Sequence, residues 1–185
     1  MLARGMAEAL LDLDLSLILV CSGYGRLMWN EELGAPIEQD LRRWRERGAI
    51  EFKPGDMAAP IASGSFPVAA MAVIPCSMST AAAIATGVGT NLIHRAADVA
   101  IKERRPLVIV PREVPLSPIH LRNLLTLSEL GLVVLPPVPA FYKRPSTIDD
   151  VVAEIVQRAL VAMRLRPELP ESLQYRPTRS APPAE

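Results

Sequence analysis

Four short runs of consecutive apolar residues, separated by segments of helical character, constrain the fold more than any other feature of the sequence. The runs are LSLILVC, AAMAVIPC, PLVIVP and GLVVLPP, at residues 15–21, 69–76, 106–111 and 131–137. Continuous apolar character is typical of strands that are covered on both faces, as in a parallel sheet. The sequence therefore predicts four buried parallel strands.

Helical segments are predicted around these runs, at about 37–47, 79–88, 92–104, 118–130 and 147–165. The last of them follows a helix start signal, STID, at residues 146–149. Alternation of strands and helices predicts an α/β fold with a doubly wound, mainly parallel sheet, a Rossmann-like or flavodoxin-like three-layer sandwich. In such a sheet the ligand binds beyond the carboxyl ends of the strands.

The length and charge of the chain limit its organisation and its partners. A chain of 185 residues, 50% of them apolar, is long enough for one domain with a sizeable core. We expect this domain at residues 1–165, followed by a tail at 166–185 that contains five prolines. Because 20 basic residues balance 20 acidic ones, the chain has no net field to attract nucleic acid or a membrane, and any anion must bind in a local pocket.

Several common classes of site and segment are not predicted. Cys21 and Cys76 lie in apolar runs rather than at metal-ligand spacing, which indicates neither a zinc site nor a disulfide framework and suits a reducing cytoplasm. Residues 57–94 contain no Asp, Glu, Lys or Arg, but prolines interrupt them, so we expect no transmembrane helix. Asp12 and Asp14 precede the first apolar run, which argues against a signal peptide.

Polar residues follow two of the predicted strands directly. Arg112 and Glu113 follow the strand at 106–111, and residues 77–80 (Ser, Met, Ser, Thr) follow the strand at 69–76. Carboxyl ends of parallel strands share one edge, and the N–H groups and hydroxyls at a helix start suit an anion. A second interpretation stays open, in which the serines are only helix caps and Arg112 and Glu113 only a surface ion pair.

Four segments carry a resemblance to a known family. They are PCSMST (75–80), NLIHRAADVAIKERRPLVIVPRE (91–113), SPIHLRNLLTLSELG (117–131) and PPVPAFYKRPSTIDDVV (136–152). Together they resemble the flavin prenyltransferases, the UbiX/Pad1-type flavoproteins, in order from about residue 15 to 165. The second segment is long and specific, and the motifs do not resemble those of the cysteine-decarboxylase flavoproteins of similar fold.

The resemblance implies a metal-independent prenyl transfer. The dimethylallyl group of dimethylallyl monophosphate is joined to N5 and C6 of reduced FMN, which gives the prenylated FMN cofactor of UbiD-type decarboxylases. Because a monophosphate leaves poorly, the site must neutralise and protonate it beside the flavin. Resembling proteins are dodecamers with sites at subunit junctions, so we expect a large cytoplasmic homo-oligomer, with the uncharged stretch 57–74 as a packing surface.

The resemblance also assigns the residues that would act on the prenyl phosphate. Its phosphate-binding set comprises Arg95, Lys102, Tyr142 and Arg158. Its catalytic groups are Lys102 and two acid–base carboxylates, Glu113 and Glu32. A second interpretation stays open, in which the three cations are ordinary solvated charges on helices. Glu31 is an alternative candidate for the role of Glu32.

The resemblance assigns a second set to the flavin, whose polar edge and phosphate need hydroxyl, amide and cationic partners. This set comprises Ser22, Ser77, Met78, Ser79, Thr80 and Arg112. Ser22 has a second interpretation, as a simple turn residue in CSGYG.

The amino-terminal end departs from the family pattern. Family members begin with a strand and a Gly-Ala-Ser-Gly type loop that contacts FMN, whereas this chain begins within the following helix, at MLARGMAEALLDLD. Of a misplaced start and a degenerate member we favour the misplaced start, because a sheet without its central strand leaves apolar neighbours uncovered. Two functions therefore stay open: a flavin prenyltransferase, and an FMN-binding protein that acts as a flavin carrier or scaffold.

Overall fold

Parallel pairing of the strands is the feature of the fold that positions the site. The structure is a computed structural model that describes residues 1–174. Within them the strands are β1 (Ile18–Val20), β2 (Ile50–Phe52), β3 (Met71–Cys76), β4 (Leu107–Pro111) and β5 (Val133–Val134). The helices are α1 (Leu2–Asp12), α2 (Gly23–Leu33), α3 (Ile37–Glu46), α4 (Met78–Ala85), α5 (Leu92–Lys102), α6 (Pro118–Glu129) and α7 (Ile148–Ala162).

Helices cover both faces of the central strands, as the α/β prediction requires. On one face of β4, Val108 packs in a cluster with Met6 of α1 and Val156 of α7. On the other face, Ile109 packs in a cluster with Ala81 of α4 and residues of α5 and α6. All strand pairs in the described residues are parallel. The predicted three-layer, doubly wound class is therefore confirmed.

The strands form two hydrogen-bonded sheets. β1 pairs with β2, and β3, β4 and β5 pair in that order. Within residues 1–174 no strand pairs with both β1 and β3, so each of these two keeps an unpaired edge.

The two unpaired edges nevertheless lie between the same helical layers. Leu10 of α1 packs against the cluster beside Leu19 of β1 and against the cluster beside Ile74 of β3. On the opposite face, Ile18 and Met71 pack against one shared cluster. All residues of β1 are half-buried, whereas those of β4 are fully buried. Strand β1 is therefore less covered than β4.

Helix α2 and strand β2 are absent from the sequence prediction. Helix α2 contains two early glycines and only one buried residue, Trp29, so it has little apolar periodicity. The Trp29 ring meets Trp44 of α3 edge to face with centroids 5.7 Å apart, and its indole N–H donates to Asp40 at 3.2 Å. The three-residue strand β2 has Glu51 at its centre and so lacks an apolar run.

Helix α7 begins where its start signal predicts. Thr147 caps the helix, and its hydroxyl and the Asp150 carboxylate form a reciprocal capping box. Leu173 lies beyond α7, and its carbonyl accepts a hydrogen bond from the side chain of Lys143 at 2.6 Å. The first part of the expected tail therefore packs on the domain. Residues 175–185 of that tail lie outside the described residues, and the domain division stays a prediction.

Each helix between residues 1 and 174 is too short or too polar to cross a lipid bilayer.

Candidate functional site

The residues that follow β3 and β4 meet at the carboxyl ends of these strands, which form one edge of the sheet. The backbone N–H of Arg112 donates to the carbonyl of Cys76 at 3.0 Å. This bond continues the parallel pairing past the end of both strands, so Arg112 and Ser77 emerge side by side. The structure thus brings together the two strand ends that the sequence singles out.

A network of hydroxyl groups opens helix α4 at this edge. Ser77 is the N-cap, and its Oγ accepts from the backbone N–H of Thr80 at 3.2 Å. The hydroxyls of Ser79 and Thr80 lie 2.9 and 3.1 Å from the same oxygen. The side chain of Met78 is buried in the core, so only its backbone N–H can face a ligand. First-turn N–H groups have no acceptor within a helix and favour an anion.

The neighbouring thiol is not a reactive group. Burial raises the pKa of Cys76 to about 12, so the thiol stays protonated at neutral pH. Burial likewise raises the pKa of Cys21, which outweighs the opposing effect of Arg26. Both side chains are free thiols that pack with apolar neighbours. Nucleophilic cysteine chemistry at this edge is therefore not favoured.

Helix α2 delivers a carboxylate to the same edge. An oxygen of Glu32 lies 3.8 Å from the guanidinium of Arg112, and its other oxygen accepts from the amino group of Met1 at 2.6 Å. Glu31, the competing candidate, forms no ion pair within residues 1–174. At the other end of α2, Ser22 is the N-cap and accepts from the N–H of Gly25 at 3.0 Å. Both predicted residues therefore lie at ends of α2, and Glu32 is the carboxylate beside Arg112.

Glu113 follows Arg112 and is exposed. One of its oxygens accepts from the backbone N–H of Val114 at 3.1 Å. In the described part of the chain it forms no ion pair with a cation. Its carboxylate is therefore held near the end of β4.

Tyr142 and Arg158 are linked by a residue that the sequence analysis does not select. Tyr142 lies in the short 3-10 turn Phe141–Lys143 and is 71% exposed. Lys143 of this turn donates to Glu154 at 2.9 Å, and Arg158 donates to the same carboxylate at 2.8 Å. The signal for Glu154 in the sequence is its position four residues before Arg158 on one helix.

Glu154 is held in its charged form by these two cations. Burial alone raises the pKa of a carboxyl group, but the hydrogen bonds from Lys143 and Arg158 outweigh it and lower the pKa of Glu154. A carboxyl group whose pKa is lower in the folded than in the unfolded protein stabilises the fold at pH values above its unfolded pKa. This stability is lost as the pH falls through the folded pKa. The cluster is therefore an ion pair network at neutral pH.

Arg95 and Lys102 lie on α5, where each pairs with an acidic neighbour. Arg95 donates to the carbonyl of Ala62 at 3.0 Å and to Asp98 at 2.7 Å, and Lys102 pairs with Glu103. Lys102 precedes β4 and Arg112 follows it, so they lie at opposite ends of this strand.

Strand β4 alone spans about 16 Å, since a strand rises about 3.3 Å per residue. Lys102 and Arg112 therefore lie a strand length apart, and the shared phosphate site of Arg95, Lys102, Tyr142 and Arg158 stays a prediction.

The described residues contain no group of three or more His, Cys, Asp or Glu side chains arranged to hold a metal ion.

Comparisons with known proteins agree on one family. Residues 5–160 match the family model named Flavoprotein. The flavin prenyltransferase UbiX of Synechocystis sp. is 45% identical over 163 residues, which covers 82% of this chain and 79% of that protein. Other relatives of this kind match over only 56% of their own length.

Two solved structures are similar over nearly the whole chain. One is a dodecameric FMN-dependent UbiX-like decarboxylase from Escherichia coli, 40% identical, with a TM-score of 0.86 over 95% of this chain and 92% of that one. The other is AnUbiX in complex with FMN and dimethylallyl pyrophosphate, 38% identical, with a TM-score of 0.86 over 97% of this chain and 92% of that one.

Proposed function

The chain belongs to the flavoprotein family, and from this premise we infer that it is a flavin prenyltransferase that joins the dimethylallyl group of dimethylallyl monophosphate to reduced FMN. The observation that carries the proposal is the bond from Arg112 to Cys76, which brings two strand ends to one edge. There a helix start, an arginine and two carboxylates lie together. The pyrophosphate bound by AnUbiX is a related ligand.

The groups at this edge fit FMN. The hydroxyls of Ser77, Ser79 and Thr80 are exposed and bond mainly to one another, so they can turn to a flavin edge. The free N–H groups of α4 and the guanidinium of Arg112 suit a phosphate or a carbonyl oxygen. Ser22, at the start of α2, is assigned to the same ligand. When bound, reduced FMN supplies the electron-rich N5 and C6 positions to which the dimethylallyl carbons bond.

The protein's own groups then have distinct tasks. Tyr142 and Arg158 bind the phosphate, which leaves with the electrons of the broken C–O bond, and the hydroxyl of Tyr142 can donate to it. Glu113 accepts the proton released as the second carbon bond forms. Glu32, 3.8 Å from the guanidinium of Arg112, orients that group.

A second copy of the chain completes the phosphate site in this proposal. Lys102, at the end of α5, precedes β4 and so lies at the opposite end of this strand from Arg112. A neighbouring copy can present it and Arg95 there. The chain also exposes apolar side chains that suit contact between copies, among them Val114, Ile119, Leu121, Leu125, Val138 and Phe141. The Escherichia coli relative is dodecameric. We therefore place the active sites between copies of a large homo-oligomer.

Replacing Leu125 by Asp should break this assembly. Leu125 is 59% exposed and lies one helical turn from exposed Leu121 on α6, so a buried charge there would oppose contact. Light scattering should show a large homo-oligomer for the wild type and a smaller species for the variant. Gln39→Asp, an exposed change on α3, should keep the wild-type mass. A monomer-sized wild type would contradict the proposed assembly.

Replacing Arg112 by Ala should weaken FMN binding by about 10- to 100-fold, because one charge-assisted hydrogen bond contributes about 1.5–3 kcal/mol. Quenching of flavin fluorescence on titration measures the change. Arg122→Ala removes an exposed arginine of α6 and should bind FMN like the wild type. Equal affinity of the Arg112 and Arg122 variants would remove Arg112 from the flavin site.

The decisive experiment is anaerobic incubation of the protein with FMN, a reductant and dimethylallyl monophosphate. Mass spectrometry should find a flavin heavier by one isoprene unit. The second candidate function, a flavin carrier or scaffold, predicts bound but unmodified FMN. The unpaired edges of β1 and β3 favour this candidate, because they lie next to the strand ends that carry the site.

The product of the proposed reaction needs a recipient. Prenylated FMN is a cofactor rather than an end product, so a UbiD-type decarboxylase is the partner that takes it up. We place the protein in the cytoplasm, where the two free thiols stay reduced. Dimethylallyl monophosphate and the pyrophosphate can be compared in the same assay.

A further inference from the structure

We propose that Glu154 is the positioning residue of the phosphate-binding end of the site. It orients the guanidinium of Arg158 and, through Lys143, fixes the turn that carries Tyr142. This inference rests on the proposed function, since it assumes that Tyr142 and Arg158 bind the prenyl phosphate. Glu154 itself does not touch the substrate.

Three hydrogen bonds converge on one oxygen of Glu154. Lys143 Nζ lies 2.9 Å from Oε1, Arg158 Nη2 lies 2.8 Å from it, and Arg158 Nε lies 3.1 Å from it. Two donors of one guanidinium fix the plane of the group. Within residues 1–174 the third nitrogen, Nη1, has no hydrogen-bond partner. Glu154 therefore holds Arg158 by one side and leaves the other side for an anion.

The burial of the three side chains gives each a different role. The side chains of Glu154 and Lys143 are 10% and 18% exposed, whereas Arg158 is 41% exposed. A charge that is buried this far must stay paired, so Glu154 and Lys143 hold each other in place. Two positive charges face one negative charge, so the cluster keeps one net positive charge. That charge is presented by Arg158, the most exposed member.

The same carboxylate reaches Tyr142 through the backbone of the turn. Lys143 follows Tyr142 directly and is also bound to the carbonyl of Leu173 at 2.6 Å. Two anchors on Lys143 fix the short turn against α7. The hydroxyl of Tyr142 makes no hydrogen bond with the rest of the described chain and is free to donate to a ligand. Glu154 thus sets the relative positions of the two groups assigned to one phosphate.

A simple countercharge would behave in the opposite way. If Glu154 only offset the positive charge of its neighbours, Glu154→Gln would raise the net charge and tighten phosphate binding. If it positions Arg158 and the turn, the same change weakens binding, because a neutral amide accepts more weakly than a carboxylate. The direction of the change in affinity therefore decides between the two roles.

The test uses the full chain loaded with FMN, titrated by calorimetry with dimethylallyl monophosphate and, separately, with inorganic phosphate. Glu154→Gln should weaken both ligands about tenfold, which is the loss of about 1.4 kcal/mol from weakened charge-assisted bonds. The KM for the prenyl phosphate should rise by a similar factor with a smaller change in kcat. FMN affinity should not change. Glu129→Gln, an exposed control on α6, should match the wild type.

A double variant tests whether Glu154 acts through Arg158. Glu154→Gln combined with Arg158→Ala should lose less affinity than the product of the two single losses. Independent losses, or tighter phosphate binding by Glu154→Gln, would overturn the proposal. If Glu154→Gln does not fold, Lys143→Met tests the turn alone, and its phosphate affinity should fall with FMN affinity unchanged; unchanged phosphate affinity in Lys143→Met would overturn the proposal.

The outcomes also separate this inference from the proposed function. Weaker phosphate binding by Glu154→Gln, in a protein that makes no prenylated FMN, would support the positioning role and overturn the prenyltransferase. Prenylation by the wild type with no effect of Glu154→Gln on phosphate binding would overturn the positioning role alone. A wild type that binds neither phosphate ligand would overturn both.

Discussion

Replacing Arg158 or Lys102 by Ala should abolish detectable prenylation of FMN while FMN itself binds almost as in the wild type. The proposed phosphate contacts are charge-assisted, and each contributes about 1.5–3 kcal/mol. The loss is larger in the transition state, where charge grows on the departing phosphate. Anaerobic product analysis by mass spectrometry and FMN titration measure the two quantities separately.

The two variants test different parts of the proposal. Arg158 is joined to the turn that carries Tyr142 through Glu154. Lys102 lies at the opposite end of β4 from Arg112, and in the proposed site a second copy supplies it. Loss of activity in Lys102→Ala, with the assembly intact by light scattering, therefore supports a site shared between copies. Glu129→Lys, an exposed change on α6, serves as the charge-altering control. Equal loss of FMN binding in the Lys102, Arg112, Glu113 and Arg158 variants would indicate a collapsed fold or wrong assignments.

The parallel fold is predictable from the sequence where one physical signal dominates. The run PLVIVP is apolar throughout because β4 is covered on both faces, and all five residues of β4 are buried. The start of helix α7 is predicted by its capping residues, because capping depends only on residues close in sequence. Helix α2 has a capping serine, Ser22, but little apolar periodicity, because Trp29 is its one buried side chain and the ring it contacts belongs to α3. Such tertiary contacts are not visible in a local pattern.

The candidate site divides in the same way. Residues that directly follow strands, such as Arg112 and Ser77, are predictable, because the end of a parallel strand fixes their edge of the sheet. The position of Lys102 is predictable by the same reasoning, because a residue that precedes a parallel strand lies at its amino end. Glu154 is missed, because its importance comes from Lys143, eleven residues away in sequence, as much as from Arg158.

Replacing Glu113 by Gln should leave FMN and phosphate binding intact and lower kcat by about 10²- to 10⁴-fold, the usual contribution of general acid–base catalysis. Glutamine keeps the shape of the side chain and an oxygen that can accept from Val114, but it cannot take a proton. The structure favours Glu113 over Glu32 for this step, since Glu113 forms no ion pair in the described residues and Glu32 lies against Arg112.

Single-turnover measurements with reduced FMN separate this proton transfer from ligand binding. Glu113→Asp should keep part of the rate, because it retains a carboxylate on a side chain that is one methylene shorter. Glu129→Gln should keep the full rate. Wild-type kcat in Glu113→Gln would contradict the assignment. A large loss in Glu32→Gln, with FMN affinity kept, would then move the role to Glu32. A Glu32→Gln variant that loses FMN instead would show that Glu32 acts through Arg112, as the ion pair between them indicates.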